Sequence, residues 1–232
     1  VERADKDRKE FGVIVSDTMM FQRAAPKPSD PMLGSFFGLA MPLIKIGIPV
    51  EVVQLENVLV PATLEPYRVL LLTYEGQKPL KPEYHEALAG WVRNGGALVY
   101  IGDGEDPYHG VREWWNDQGK NDRKAYDDLF ERLEISESAQ ESAVSVDDGW
   151  LRWSARSPAR LQRNAAGAQL VRELVREACE RVGLPLRTQN HLAIRRGPYV
   201  IAATLDESIA DTPLEIEGTL VDLFDPRLSV SK

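Results

Sequence analysis

Cysteine is almost missing from this chain: among 232 residues only Cys179 carries a thiol. That excludes an intrachain disulfide and any zinc site built on cysteines, and a single thiol says nothing decisive about compartment. No Lys/Arg-rich run occurs either. Lys plus Arg number 28 against 36 Asp plus Glu, a net charge of −8, which argues against a nucleic-acid partner whose phosphates must be neutralised. No stretch approaches the ~20 apolar residues of a membrane span, so no membrane partner is expected. Hydrophobic residues at 43% and charged residues at 28% are ordinary globular values and exclude a disordered or fibrous chain. What is left is a globular chain with one sizeable core and room for a second small module.

The apolar runs place the elements of that core. Phe11-Gly12-Val13-Ile14-Val15-Ser16 reads as a buried strand, and Val50–Leu55, Tyr67–Thr73 and Ala97–Ile101 read as three more. The near-continuous apolar character of Val69–Leu72 suits a parallel strand covered on both faces. Between the strands lie helical patterns. Met32 to Gly47 carries an apolar face and an internal Pro42, where a kink is expected. Leu80, Tyr84, Leu88, Trp91 and Val92 share one helical face ending at Gly95-Gly96. Further on, Tyr126, Leu129, Phe130 and Leu133 mark a third helix, and 136–149 reads as an acidic, Ser-rich exposed connection. Trp150–Ser154 follows as a strand, then the strongest helical stripe, Leu170, Val171, Leu174, Val175, Ala178 and Val182. Strands alternating with helices at these lengths predict βαβ units in an α/β, doubly wound, mostly parallel sheet.

The pattern changes after Gly183. His191–Ile194, Tyr199–Leu205, Leu214–Ile216 and Thr219–Leu223 are short strand-like runs separated by turn residues, which predicts a small C-terminal antiparallel β segment. The expected organisation is therefore an α/β domain over 1–184 and a β-rich segment over 185–232, the start of a β-sandwich or an appendage from one. Val1 opens the chain without an initiator Met and leads into a charged run with no signal peptide. The expectation is a piece of a longer protein. The compartment stays open, with an extracytoplasmic one following if the parent is secreted.

Open parallel sheets place ligands at the carboxyl ends of their strands, which makes Asp17, Glu75 and Asp103 the candidate cleft residues. Gly102-Asp103-Gly104 has neither the dinucleotide fingerprint nor the Lys-Ser/Thr pair of a P-loop, and Glu105 and Asp106 would repel phosphate. The oxygen-rich group Asp103, Glu105, Asp106 and His109 could suit a hard cation, but it lacks the EF-hand spacing. Neither a cofactor nor a resident metal is expected. The run Asp106–Asn116 holds Tyr108, His109, Glu113 and the adjacent Trp114 and Trp115. Flat rings beside hydroxyl-bonding groups are what a sugar subsite uses, so Asp106, Tyr108, His109, Glu113, Trp114 and Trp115 are the candidate sugar-binding residues. The competing structural reading has one tryptophan plugging the core and the other bracing the loop. Cys179 falls on the apolar stripe of the strongest helix, which predicts a core thiol rather than a nucleophile.

The order from Phe11 to Asp106, above all Tyr67–Leu72 and Trp91-Val92-Arg93-Asn94-Gly95-Gly96-Ala97-Leu98-Val99-Tyr100-Ile101-Gly102, resembles the class I glutamine amidotransferase-like, flavodoxin-like fold. It is similar in particular to the trimerisation domain of family-42 β-galactosidases, which follows a catalytic barrel and precedes a β-sandwich. The tail from His191, with Arg195-Arg196-Gly197-Pro198-Tyr199, fits the start of that last module. Active members of the amidotransferase fold carry a Cys-x-Gly turn after the strand matching Ala97–Ile101, and a His after a later strand. Here those places hold Gly102-Asp103-Gly104 and Ala155-Arg156-Ser157-Pro158, so neither nucleophile nor base is present. The resemblance thus implies a catalytically silent accessory or oligomerisation domain of a carbohydrate-processing, glycoside hydrolase-like protein. It would self-associate, as a trimer if the parent is family-42-like, with carbohydrate as a further partner and no catalytic residue. Two rival readings are a free-standing hydrolase acting on a sugar or small metabolite through the Asp103–Asp106 acidic cluster, and a plain sugar-binding module.

Overall fold

Alternation along the apolar runs decides how the sheet is covered. The computed structural model describes residues 10–21, 32–117, 119–135, 141–196, 199–204, 212–215, 217–222 and 224–231. In chain order they form β1 (Phe11–Val15), a short α1 (Thr18–Phe21), α2 (Gly34–Ile44), β2 (Glu51–Gln54), β3 (Val69–Leu72), α3 (Glu83–Arg93), β4 (Ala97–Ile101), α4 (Ala125–Arg132), β5 (Ala143–Val146), β6 (Gly149–Ser154), α5 (Pro158–Leu161) and α6 (Ala165–Arg181). The first six strands make one sheet in the order β2-β1-β3-β4-β6-β5. All pairs are parallel except β5 with β6, which is antiparallel.

Because successive side chains point to opposite faces, Leu70, Leu72, Leu98, Tyr100, Leu151 and Trp153 enter one core with α3 and α4. Val69, Leu71, Ala97, Val99, Ile101 and Trp150 enter the other with α2 and α6. Each fully buried leucine contributes about 1.5–3 kcal/mol of apolar burial, and the two-sided cover explains why the central strands read as unbroken apolar runs. On α6 the predicted stripe is realised: Val171, Leu174, Val175 and Ala178 are buried, and Asn164 Oδ1 caps the helix by accepting the Gly167 N–H at 2.8 Å. Pro42 lies inside α2 without ending it.

Several expectations are corrected. Leu80 does not belong to the face of α3: it precedes the helix and is exposed, since the helix starts only after Pro82. The segment 136–149 is not wholly an exposed connection. Residues 136–140 lie outside the described residues, but Ala143–Val146 form β5, with Val144 opposite Leu151 and Val146 opposite Gly149. The two-residue turn Asp147-Asp148 makes that hairpin, with Asp147 at φ 49°, a conformation aspartate tolerates in such turns. Past α6, β7 (His191–Arg196) pairs antiparallel with β8 (Tyr199–Thr204). The expected strand over Thr219–Leu223 shrinks to β9 (Leu220–Val221), paired with β10 (Val230–Ser231). Leu214 and Glu215 carry no strand; Leu205, Ile216 and Leu223 lie outside the described residues.

Gly149 sits where the end of α3 meets the β5–β6 hairpin. A Cβ there would lie 1.8 Å from the Val92 carbonyl oxygen and 2.5 Å from that of Gly96. Both obstacles are backbone, so neither can swing away. Gly149→Ala should therefore lower stability by about 2 kcal/mol or more, read as a lower urea midpoint; an unchanged midpoint would contradict this packing.

Candidate functional site

The five parallel strands deliver their carboxyl ends to one edge, and the strand order reverses between β1 and β3. That crevice is where open α/β sheets hold ligands. Here the chain fills it with its own side chain. The loop leaving β3 is buried from Thr73 through Pro79, and Gln77, with no exposed surface, lies across the crevice. Its amide donates to the Ile14 carbonyl at 3.1 Å and the Thr73 carbonyl at 2.8 Å, and its Oε1 accepts the Ser16 N–H at 2.7 Å. The next residue is held as tightly: Thr18 Oγ1 donates to the Lys78 carbonyl and accepts the Lys78 N–H, both at 2.8 Å. Ser16 Oγ donates to Glu56 at 2.7 Å. Exposed Asp17 joins the same network, its N–H on Glu56 and its carboxylate accepting from Gln54.

Two carboxylates stand beside this plug. Asp106 is buried and pairs with the equally buried Lys78 at 3.0 Å, while also accepting the N–H groups of Gly76 and Tyr108. Burial alone would raise the Asp106 carboxyl, but Lys78 and those two amides outweigh it and hold it below the usual range. Burial pushes the Lys78 ammonium down to about 8, which leaves it charged at neutral pH. Glu75 behaves oppositely. Burial, reinforced by the Asp103 carboxylate, pushes it up to about 8, although the Ser157 hydroxyl and the Asp103 N–H favour its charged form. Ser157 Oγ donates to it at 2.7 Å and the Asp103 amide at 3.3 Å. Asp103 and Glu105 in turn face the exposed Arg160 at 3.5 and 3.1 Å.

The aromatic run is structural in its geometry. Asp106 caps the turn Pro107–Gly110, so its carboxylate points inward. His109 is buried: its carbonyl receives the Trp115 indole N–H at 3.4 Å and the Asn116 amide at 3.0 Å. Trp115 lies in the core, and half-buried Trp114 packs against it with its indole N–H on the Pro79 carbonyl at 3.0 Å. The two ring planes stand 82° apart, so the adjacent tryptophans do not form a common flat platform for a sugar ring. Tyr108 is half-buried, and Glu113 is exposed on the rim. The sequence pattern thus places Asp106, His109, Trp114 and Trp115 in one cluster, but as core and brace.

A second buried chain of polar groups is not legible in the sequence. Tyr74 Oη lies 2.6 Å from His85 Nε2, and His85 Nδ1 lies 2.9 Å from Asp128. The ionised Asp128, held at about 2, can only accept, so Nδ1 carries the proton and Nε2 accepts from the tyrosine. This fastens the β3 loop to α3 and α4. Gln77, Lys78, Ser157 and His85 have no motif to reveal them, because their partners lie far away along the chain.

The turn after β4, Gly102-Asp103-Gly104, carries neither a thiol nor a hydroxyl. A Cβ at Gly102 would sit 3.0 Å from Tyr100 Oη; Gly104 takes φ +71°, and a Cβ on it would come within 2.5 Å of Tyr126 Oη. Cys179 is buried in the α6 core, where burial pushes its thiol up to about 12, as the stripe predicted. Among the described residues no group of three or more His, Cys, Asp or Glu is arranged to hold a metal ion, and no helix is long and apolar enough to cross a membrane. Compared with known proteins, the chain matches no family model and no curated relative.

Two outcomes test this edge. Gln77→Ala strands the Ser16 N–H and two carbonyls, each buried unsatisfied group costing about 1–3 kcal/mol, so denaturation should show a loss on the order of 3 kcal/mol. Glu75 has a folded value near 8 against 4.5 when free. Its stabilising share is complete below about pH 4.5 and is lost as pH rises through about 8. The stability of the natural chain relative to Glu75→Gln should therefore fall steadily across that window in urea titrations. A difference that stays flat with pH would mean that Glu75 is ionised throughout.

Proposed function

We propose that this chain is a catalytically silent, flavodoxin-like domain similar to the class I amidotransferases, serving assembly within a carbohydrate-processing, glycoside hydrolase-like protein. The observation that carries the silence is the filled crevice: Gln77 occupies the switch point with all its polar atoms engaged, and the turn after β4 is Gly102-Asp103-Gly104. A nucleophile elbow needs a thiol or hydroxyl at that bend with a base beside it. The parallel order β2-β1-β3-β4-β6 supports the flavodoxin-like reading, since it matches that fold's strand sequence.

The assembly role rests on the resemblance and on the surface near β2. This edge strand exposes Val52, and the turn after it exposes Leu59 and Val60. A strand at the edge of a sheet beside exposed apolar side chains favours association. The rival hydrolase reading loses its tools to internal pairing, because Asp106 is bound to Lys78 while Asp103 and Glu105 face Arg160.

Light scattering of the purified chain should give a particle larger than 26.0 kDa, three times that mass in the family-42-like case, and incubation with glutamine should release no ammonia. A strict monomer at high concentration overturns the assembly role, and ammonia release overturns the silence.

A further inference from the structure

An open cavity lies at the edge opposite to the filled crevice. It lies at the amino ends of β3 and β4, has a volume of about 520 Å³ and is walled by the segment Val58–Glu65, the Tyr67-Arg68 pair, Trp91 and Asn94–Gly96. Small-molecule sites run from about 300 to 1,000 Å³. Trp91 gives this one its character. Trp115, Trp150 and Trp153 are buried in the cores, and Trp114 is bound to Pro79, whereas Trp91 is half-buried and lines the groove. Its indole rests on Gly96, where a Cβ would come within 2.4 to 2.6 Å of three ring atoms, so the backbone supports one side of the ring. Its N–H has no acceptor among the described residues and is not a buried unsatisfied atom, so solvent reaches it.

The polar groups around that ring are of two kinds. Arg68 is engaged, donating to the Val182 carbonyl at 2.7 Å. Glu65 and Asn94 are exposed and make no side-chain hydrogen bond among the described residues. The carboxylate and the guanidinium offset each other, so the groove as a whole selects no charged ligand. One wall turns on Ala62, held at φ 66° with the Thr63 N–H on the Val60 carbonyl at 3.2 Å; a left-handed alanine is a strained conformation of the kind that gathers at binding sites.

We propose that this groove is a carbohydrate-binding subsite. A pyranose ring lays its C–H face against the apolar wall and the indole of Trp91, while its hydroxyls bond the Glu65 carboxylate, the Asn94 amide and the indole N–H. Aromatic surface beside a free carboxylate and a free amide, with no net charge, fits a neutral polyhydroxylated ligand better than a nucleotide, a lipid or a peptide of one charge. The site does not rest on the assembly role, since the groove is formed within one chain.

The test is titration of the whole chain with a panel of soluble mono- and oligosaccharides, followed by the indole signals in a proton–nitrogen correlation spectrum. Trp91 is assigned by the signal lost in Trp91→Phe. At least one neutral sugar should shift that signal, and Glu65→Ala and Asn94→Ala, both at exposed positions, should each weaken its binding roughly tenfold. No shift of the Trp91 signal at tens of millimolar of any sugar overturns the proposal. Binding that shifts only the other indoles, or that both alanine variants leave unchanged, overturns it as well. Particle size measured on the same samples separates the two readings: a monomer that binds sugar removes the assembly role and leaves the groove.

Discussion

A single buried amide holds the centre of this structure together. Gln77 joins the last residues of β1 to the loop leaving β3, supplying hydrogen bonds to Ser16, Ile14 and Thr73 just where the ladder between the two strands runs out. Backbone groups buried at a strand end must find partners, and at a topological switch point a ligand or water normally serves. Here the partner is covalently part of the chain. The neighbouring residue is fixed beside it: Thr18 Oγ1 donates to the Lys78 carbonyl and accepts its N–H, and the Lys78 ammonium meets Asp106.

A buried ion pair is weak evidence of stability, because desolvating two charges costs about as much as their attraction returns. Its value here is positional. Lys78 also donates to the Tyr74 and Gln77 carbonyls, and Asp106 accepts from Gly76 and Tyr108, so the pair ties the β3 loop to the loop after β4. Glu75, between them and Ser157, is held close to neutral by the same burial. A perturbed carboxyl in a parallel sheet's carboxyl edge commonly marks catalysis. Here Glu75 stands in a crevice packed with the chain's own polar groups.

At the carboxyl edge Gln77, Lys78, Glu75 and Asp106 bond one another's loops, while His109 Nε2 is buried without a partner among the described residues; at the amino edge a groove opens beside Trp91. The aromatic run that suggested a sugar subsite contributes its rings to the α3–α4 core instead. Glu113 and Tyr108 keep contact with solvent.

Local chemistry is enough to read the strands β1, β3, β4 and β6, the helix α6 and the core position of Cys179, since period and side-chain type are written in consecutive residues. β5 escapes such a reading although its Asp147-Asp148-Gly149 turn is visible, because acidic and serine-rich neighbours outweigh the alternation of Ala143–Val146. The sequence by itself also determined that the turn directly after β4, Gly102-Asp103-Gly104, holds no thiol. Only the tertiary structure decided that Gln77 plugs the switch point, that Lys78 faces Asp106, that burial pushes the Glu75 carboxyl up and that Trp91 rather than Trp114 or Trp115 lines a cavity. Each of these depends on burial and on partners up to 82 residues apart, as in Ser157 with Glu75. Desolvation and long-range contact come into being only when the chain closes on itself.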